Sequence, residues 1–357
     1  MALGKRRREQ QGEFWIATEK LCNAPRNAFY DRLNQLLNEI GFDEKLEKAA
    51  KPYYEETGRK GLAPGIYFRM IFIGYFEDIS SQRGIAWRCA DSRSLSKFLG
   101  YSPDEPTPDH STLSLTRDRL PMEIHNLAFE LILKATADHG LLAGKTLGVD
   151  ATDLEANASL KSIVRKDNGD DWQAYLRKLY AEETGKTNPT DEELRRFDKG
   201  RKSKKKVSNE HWESATDPDS RIGKMKDGRF HLKYKAENAV DLKTNVIVSA
   251  EVYHGDRGDT STIEDTVNAA KVNLKKAGTD LEVEEVVADK GYHSEQALDD
   301  LQNKCNARTY IPEPDRKGHR TWTDKTPERE ASYRRNRRNT KGNRGRKLQR
   351  LRSERVE

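Results

Sequence analysis

The architecture turns on "EEVVADKGYHS", residues 284–294. A β-branched apolar run ends abruptly in Asp289, followed by Lys290 and Gly291. β-branched residues suit a pleated, buried strand. Asp and Gly favour the backbone angles that turns need, so Asp289 could simply open a turn. In α/β sheets, however, functional groups sit outside the carboxyl ends of strands. A carboxylate delivered there by a buried strand is therefore also a candidate for chemistry, and the flanking segments must decide.

Upstream, "TSTIEDTVNAAKVNLKKAG" reads as an amphipathic helix, with Thr260 or Ser261 available to cap it. Before it, "RFHLKYKAENAVDLKTNVIVSAEVYHG" gives two strands around a turn at Asp241 to Asn245. Residues 155–228 are polar and irregular, hold the run "KGRKSKKKV", and read as an insertion. In front of the insertion, "KTLGVDATDLEA" is a short apolar run with Asp150 at its end. Downstream, "SEQALDDLQNKCN" is a helix with Ser294 as cap, and "ARTYIPEPD" is another strand. The order β, insertion, β-β, α, β, α, β predicts an α/β domain with a mixed sheet flanked by helices. The helix over 260–277 makes a crossover, which lets the strand ending at Asp289 lie parallel to an earlier one. With "TLGVD" as that neighbour, Asp150 and Asp289 stand side by side at strand tips. Paired carboxylates repel unless a cation or proton intervenes. Divalent metal is the economical answer: Mg²⁺ takes oxygen ligands and substrate phosphates, and two ions about 3.5–4 Å apart can clamp a phosphodiester. Candidates for a third acid are Glu354 and Glu357 in the basic tail.

The region before this domain reads as helical. "AFYDRLNQLLNEIGF" carries a stripe of Phe29, Leu33, Leu36, Leu37 and Ile40. "GLAPGIYFRMIFIGYFEDI" has Pro64 near a helix start and an apolar face of Phe68, Ile71, Phe72, Tyr75 and Phe76. Asp109 or Ser111 is placed to cap a later helix, and residues 122–143 form a linking helix. Short helices with polar turns and exposed Arg or Lys fit a helix-turn-helix DNA reader, and equally a plain packing domain.

Composition sets the outer bounds. Hydrophobic residues make up 34% and charged residues 35% of 357, and the mean hydropathy is −0.97. No apolar run approaches the roughly 18–20 residues that span a bilayer. "MALGKRRREQQGEF" lacks the apolar stretch of a secretory signal. Cys22, Cys89 and Cys305 lack metal-ligand spacing, and no glycine-rich phosphate loop points to an ATP-driven machine. The expected setting is cytoplasmic and nucleoid-associated. Charge is uneven: residues 316–357 hold 16 Lys or Arg against 5 Asp or Glu, whereas the first 315 hold 49 against 54. That asymmetry suggests a polyanionic partner, or merely a solvated tail.

"LGVDATDLEANAS", "TDPDSR", "YKAENAVD" and "VVADKGYHS", in that order, resemble insertion-sequence transposases of bacterial type with an Asp-Asp-Glu (DDE) triad on an RNase H-like fold. The segment from "GLAPGIYF" to "TRDRLP" resembles their N-terminal domain. The resemblance implies a helical DNA-binding region over 13–121 and a catalytic domain over 145–357, with 155–228 inserted and 316–357 as a basic C-terminal segment. It implies that Asp150 and Asp289 are the catalytic, metal-holding aspartates and Glu357 the third acid, with Glu354 as runner-up. Asp259, in "GDRGDTSTI", belongs to the same pattern but precedes the crossover helix, so it ranks below Asp289. The resemblance also implies phosphate contacts from Tyr333, Arg334 and Arg337, with Arg338 and Lys290 as further DNA-binding candidates. The implied cofactor is Mg²⁺ or Mn²⁺, two ions. The implied partners are double-stranded DNA, as terminal inverted repeats and target, and a second copy of the chain on that DNA, with no membrane. Similar transposases continue past the helix that ends here at Glu357. The expectation is thus a C-terminally truncated transposase, either active or a DNA-binding remnant that inhibits transposition. A different RNase H-like nuclease is the remaining alternative.

Overall fold

The computed structural model describes residues 27–55, 57–58, 61–200, 208–315, 322 and 325–356. The chain divides into two compact units between Ala135 and Thr136.

The first unit is helical: α1 (Ala28–Glu39), α2 (Phe42–Ala50), α3 (Pro64–Phe76), α4 (Gln82–Asp91), α5 (Arg93–Phe98), α6 (His110–Arg119) and α7 (Met122–Asp138). Polar side chains start four of them. Asn27, Ser81, Ser92 and Asp109 each accept a backbone N–H of the first turn, while Pro64 supplies the preset φ that opens α3. Leu37, Phe42, Leu46, Met70, Ile73, Leu95 and Leu113 form the core. The one buried cation, among the described residues of this unit, is Arg69. It donates to Asp43 Oδ2 at 2.9 Å and Asn34 Oδ1 at 3.0 Å. Gly65 makes room for this pair, because a Cβ there would lie 1.9 Å from Asp43 Oδ1. The apolar face expected on α3 is only half right. Phe68 is buried, but Tyr75 is 81% exposed and Phe76 half exposed, and the core uses Tyr67, Met70 and Ile73 instead. The helix is apolar on nearly every side, so periodicity could not select its inward face. Trp87 is also exposed.

The second unit contains β1 (Thr146–Glu155), β2 (Ile163–Arg165), α8 (Trp172–Thr184), α9 (Asp191–Gly200), β3 (Trp212–Ser214), β4 (Arg221–Lys224), β5 (Phe230–Asp241), β6 (Ile247–His254), α10 (Asp259–Lys276), β7 (Glu285–Ala288), α11 (Glu295–Asp299), β8 (Arg308–Tyr310), α12 (Pro327–Lys341) and α13 (Asn343–Arg355). The main sheet runs β4-β5-β1-β7-β8, with β6 also on β5. β5 is antiparallel to β1, β4 and β6, whereas β7 is parallel to both β1 and β8. β4 and β6 pair with successive stretches of β5, at Phe230–Lys233 and Tyr234–Val240.

The two faces of this sheet are covered by different helices. Ile263, Val267, Ala270 and Leu274 of α10 pack with Val149, Ala239, Val248, Val286 and Ala288. Leu348, Leu351 and Val356, on and just after α13, pack with Leu242, Val287 and Tyr310 on the other face. The β5–β6 turn falls at the expected place, with Asn245 at φ 65°. Ser294 caps α11, its Oγ accepting Ala297 N at 3.0 Å. The expected caps of α10 are displaced: the helix starts at Asp259 with Gly258 as N-cap and no side-chain cap. Thr260 and Ser261 therefore fall inside its first turn.

The inserted segment has its own small core, where Trp172, Tyr175 and Trp212 stack beside Ile163 and Leu232. It also returns a strand, β4, to the edge of the main sheet. The basic run 201–206 lies outside the described residues.

Candidate active site

In the parallel pair β1/β7, Val149 stands opposite Ala288. The next position on each strand is an aspartate, Asp150 and Asp289. Side chains alternate along a strand. Val149 and Ala288 enter the core under α10, while Val287 and the Cα of Gly148 face Leu242 and Val356. Asp150 thus turns to the face that α13 covers, while the backbone of Asp289 is still extended at φ −77° and ψ 178° as the chain leaves β7. The strand-tip expectation needs correction for Asp150. β1 continues to Glu155, paired with β5, and Asp150 lies opposite Asn238. What ends at Asp150 is the pairing with β7, because β7 is four residues long and β5 twelve.

Each carboxylate is held. Asp150 Oδ1 accepts Ala151 N at 2.9 Å, and its Oδ2 accepts Arg352 Nη1 at 3.2 Å. Arg352 comes from α13 and is only 6% exposed. Asp289 starts a helical turn over Lys290–Tyr292 and accepts Gly291 N at 2.8 Å through Oδ1. A Cβ on Gly291 would lie 2.8 Å from Asp259 Oδ2 and 3.0 Å from Asp289 Oδ1. Glycine is what lets two carboxylates close on this turn. Asp259, set aside in the sequence because it precedes the crossover helix, is brought beside Asp289 by the start of α10.

Behind the turn lies a buried polar network. Lys235 Nζ is 2.8 Å from Asp259 Oδ1 and 2.8 Å from Glu237 Oε2. Glu237 has no exposed surface. It accepts Thr262 Oγ1 at 2.7 Å, Thr266 Oγ1 at 2.6 Å and Tyr292 OH at 3.0 Å. Burial first, then the charges of Glu237 and Asp259, push the Tyr292 phenol far above its usual range. Tyr253, bonded to Thr266 Oγ1 at 2.9 Å, is pushed up to about 12, chiefly by burial. Lys235, Glu237 and Arg352 were not picked out in the sequence. The signal was there for two of them: in "YKAENAVD", charges two apart in an otherwise buried strand must share its inward face.

The remaining candidates are spread out. Lys290 and Arg338 are exposed. Arg334 pairs with Glu330, and Arg337 Nε is 3.2 Å from Glu313 Oε1. Tyr333 is buried with its OH on Glu313 Oε2 at 2.6 Å. Its ring packs edge-on against His293 and Trp322. Glu354 is exposed on α13. Glu357 lies outside the described residues, directly after Val356, whose methyl group abuts Gly148 of β1.

Among the described residues, no group of three or more His, Cys, Asp or Glu side chains is close enough to hold a metal ion. Asp150 and Asp289 nevertheless suit a hard cation in donor type. Each carboxylate keeps acceptor capacity beyond the bonds above, and Mg²⁺ commonly takes only one or two carboxylates, completing its shell with water and substrate phosphate. No described helix is long and apolar enough to cross a membrane.

A sheet in this order, antiparallel on one side of β1 and parallel on the other, with helices on both faces, is RNase H-like. Residues 149–357 match the family described as Transposase DDE domain, and residues 19–119 match Transposase domain (DUF772). The chain belongs to the transposase DDE domain family. A solved structure, a Mos1 transposase paired-end complex with left transposon end, is similar at 12% identity with a TM-score of 0.23. The match covers 71% of this chain and 61% of that one. No curated protein matches the chain.

Proposed function

We propose that the protein is a DNA transposase that cuts at insertion-sequence ends and joins the freed ends to target DNA. Asp150 and Asp289 are its metal-holding aspartates, and Glu357 is the third acid. The observation that supports this reading is the β1/β7 register: Val149 pairs with Ala288, and Asp150 and Asp289 are the residues that follow them in the two adjacent chains. Mg²⁺ or Mn²⁺, as two ions, would supply charge neutralisation at the phosphodiester and a nucleophile at neutral pH.

The chain's own groups hold the rest. Arg352, clamped on Asp150, fixes α13 against β1 and offsets one of the negative charges gathered there. Lys235 does the same for Asp259. Lys290, exposed next to Asp289, is placed to meet a phosphate of the DNA. Hydrolysis at the element end leaves a 3′-hydroxyl, and that hydroxyl then attacks the target phosphodiester. The helical first unit serves as the sequence reader. A second copy of the chain on the DNA brings the two ends together, in a nucleoid-associated setting.

The test is cleavage of duplexes carrying the element's own ends with Mg²⁺ or Mn²⁺, comparing the chain with Asp289→Ala. Metal-dependent nicking that disappears in the variant is the expected result. Nicking of equal rate in both would sink the assignment of Asp289. Binding of the ends without nicking by either would point to a DNA-bound remnant.

A further inference from the structure

The arginines of α12 do not all face the same surroundings. Arg334 and Arg337 are each paired with a glutamate. Arg335 and Arg338 have no carboxylate within ion-pair distance among the described residues, nor does Arg308 at the start of β8. These three side chains line one groove of about 670 Å³, together with Gln302, Asn303 and Asn339. Asn306 and Glu284 complete its charged and amide lining. The one acid, Glu284, is already countered by Lys145 at 2.8 Å. Arg335 is held only by neutral acceptors, with Nε on Gln302 Oε1 at 2.9 Å and Nη2 on Ser332 Oγ at 3.1 Å. The Arg335 guanidinium, held in place by these neutral acceptors, stands in one groove with two further exposed arginines, a surface complementary to phosphate.

The groove opens at the amino ends of β7 and β8. Glu284 stands five residues before Asp289, about 16 Å of extended chain. It is therefore separate from the acid pair at the carboxyl end of β7.

We propose that this groove is a second DNA contact. It binds the phosphodiester backbone of a duplex without regard to sequence, through Arg308, Arg335 and Arg338. The proposal rests on charge and geometry and is independent of which acids are catalytic.

The test is duplex binding without metal, read by fluorescence anisotropy between 50 and 200 mM salt, with a duplex unrelated to the element's ends. Each phosphate neutralised contributes about 0.9 to the slope of log K against log salt. Arg308→Gln/Arg335→Gln/Arg338→Gln should lower the slope by about 2–3. Arg334→Gln/Arg337→Gln should lower it by less than about 1. Arg335→Lys, which keeps the charge and loses the Gln302 bond, should retain the full-chain slope. A triple variant that melts like the full chain and binds with an unchanged slope would overturn the proposal. So would a control pair that loses as much as the triple. Because nicking is not read, failure of the catalytic assignment leaves this result standing.

Discussion

Replacing Lys235 with methionine should destabilise the second unit by about 3 kcal/mol, the low end of the range for breaking a buried ion pair. Methionine preserves most of the aliphatic stem, so the change isolates the ammonium. Glu237 is fully buried and Lys235 only 4% exposed. Without Lys235, Glu237 keeps the hydroxyls of Thr262, Thr266 and Tyr292, but no cation remains at hydrogen-bond distance. Those three donors place the cost at the low end. For a unit of this size each kcal/mol moves the midpoint by roughly 2–4 °C, so thermal unfolding should shift by roughly 6–12 °C. Urea unfolding of the same proteins gives the free energy directly. Lys235→Met/Glu237→Gln removes both charges and should recover about 2 kcal/mol relative to Lys235→Met, since an uncompensated buried charge is the main penalty. A single variant within about 1 kcal/mol of the native chain would refute the reasoning. A double variant as unstable as the two singles added together would refute it as well.

Two further outcomes follow from neighbouring groups. Gly291→Ala places a methyl group against Asp259 Oδ2 and Asp289 Oδ1. It should reduce metal-dependent nicking at least tenfold while shifting stability by no more than about 1–3 kcal/mol; activity equal to the native chain would show that the spacing of these carboxylates is unimportant. Glu285 tests pH dependence. Burial alone would raise its carboxyl, but hydrogen bonds from Arg344, Thr146 and Tyr310 outweigh burial and hold it at about 2, below the ordinary 4.5. A depressed carboxyl contributes stability above its unfolded value and loses it as pH falls through the folded one. Stability should therefore drop between pH 4.5 and about 2. Arg344→Gln should be less stable at pH 7 and show a flatter profile across that window; an unchanged acid profile would exclude the pair as its source.

The sequence by itself determined the order of the main sheet elements, the hairpin at Asp241–Asn245 and the insertion after β1, and it allowed the strand ending at Asp289 to lie parallel to an earlier one; that this neighbour is β1 came from the tertiary structure. Each of these sequence readings follows from local signals: period-2 and period-3.6 patterning, turn residues, and the handedness of a crossover. Only the tertiary structure decided that β1 runs on past Asp150, because that depends on how far β5 extends beside it. It alone brought Asp259 to Gly291 and Arg352 to Asp150, contacts spanning 32 and 202 positions of chain. It also separated the arginines of α12 into those paired with glutamates and those facing an open groove. Charge and spacing along a chain specify which residues could meet a partner, but whether a side chain is already satisfied depends on distant carboxylates that folding delivers. Burial of Lys235 against Glu237 has the same origin: a strand pattern shows that two charges share a face, and the helix packed on that face decides what they bond.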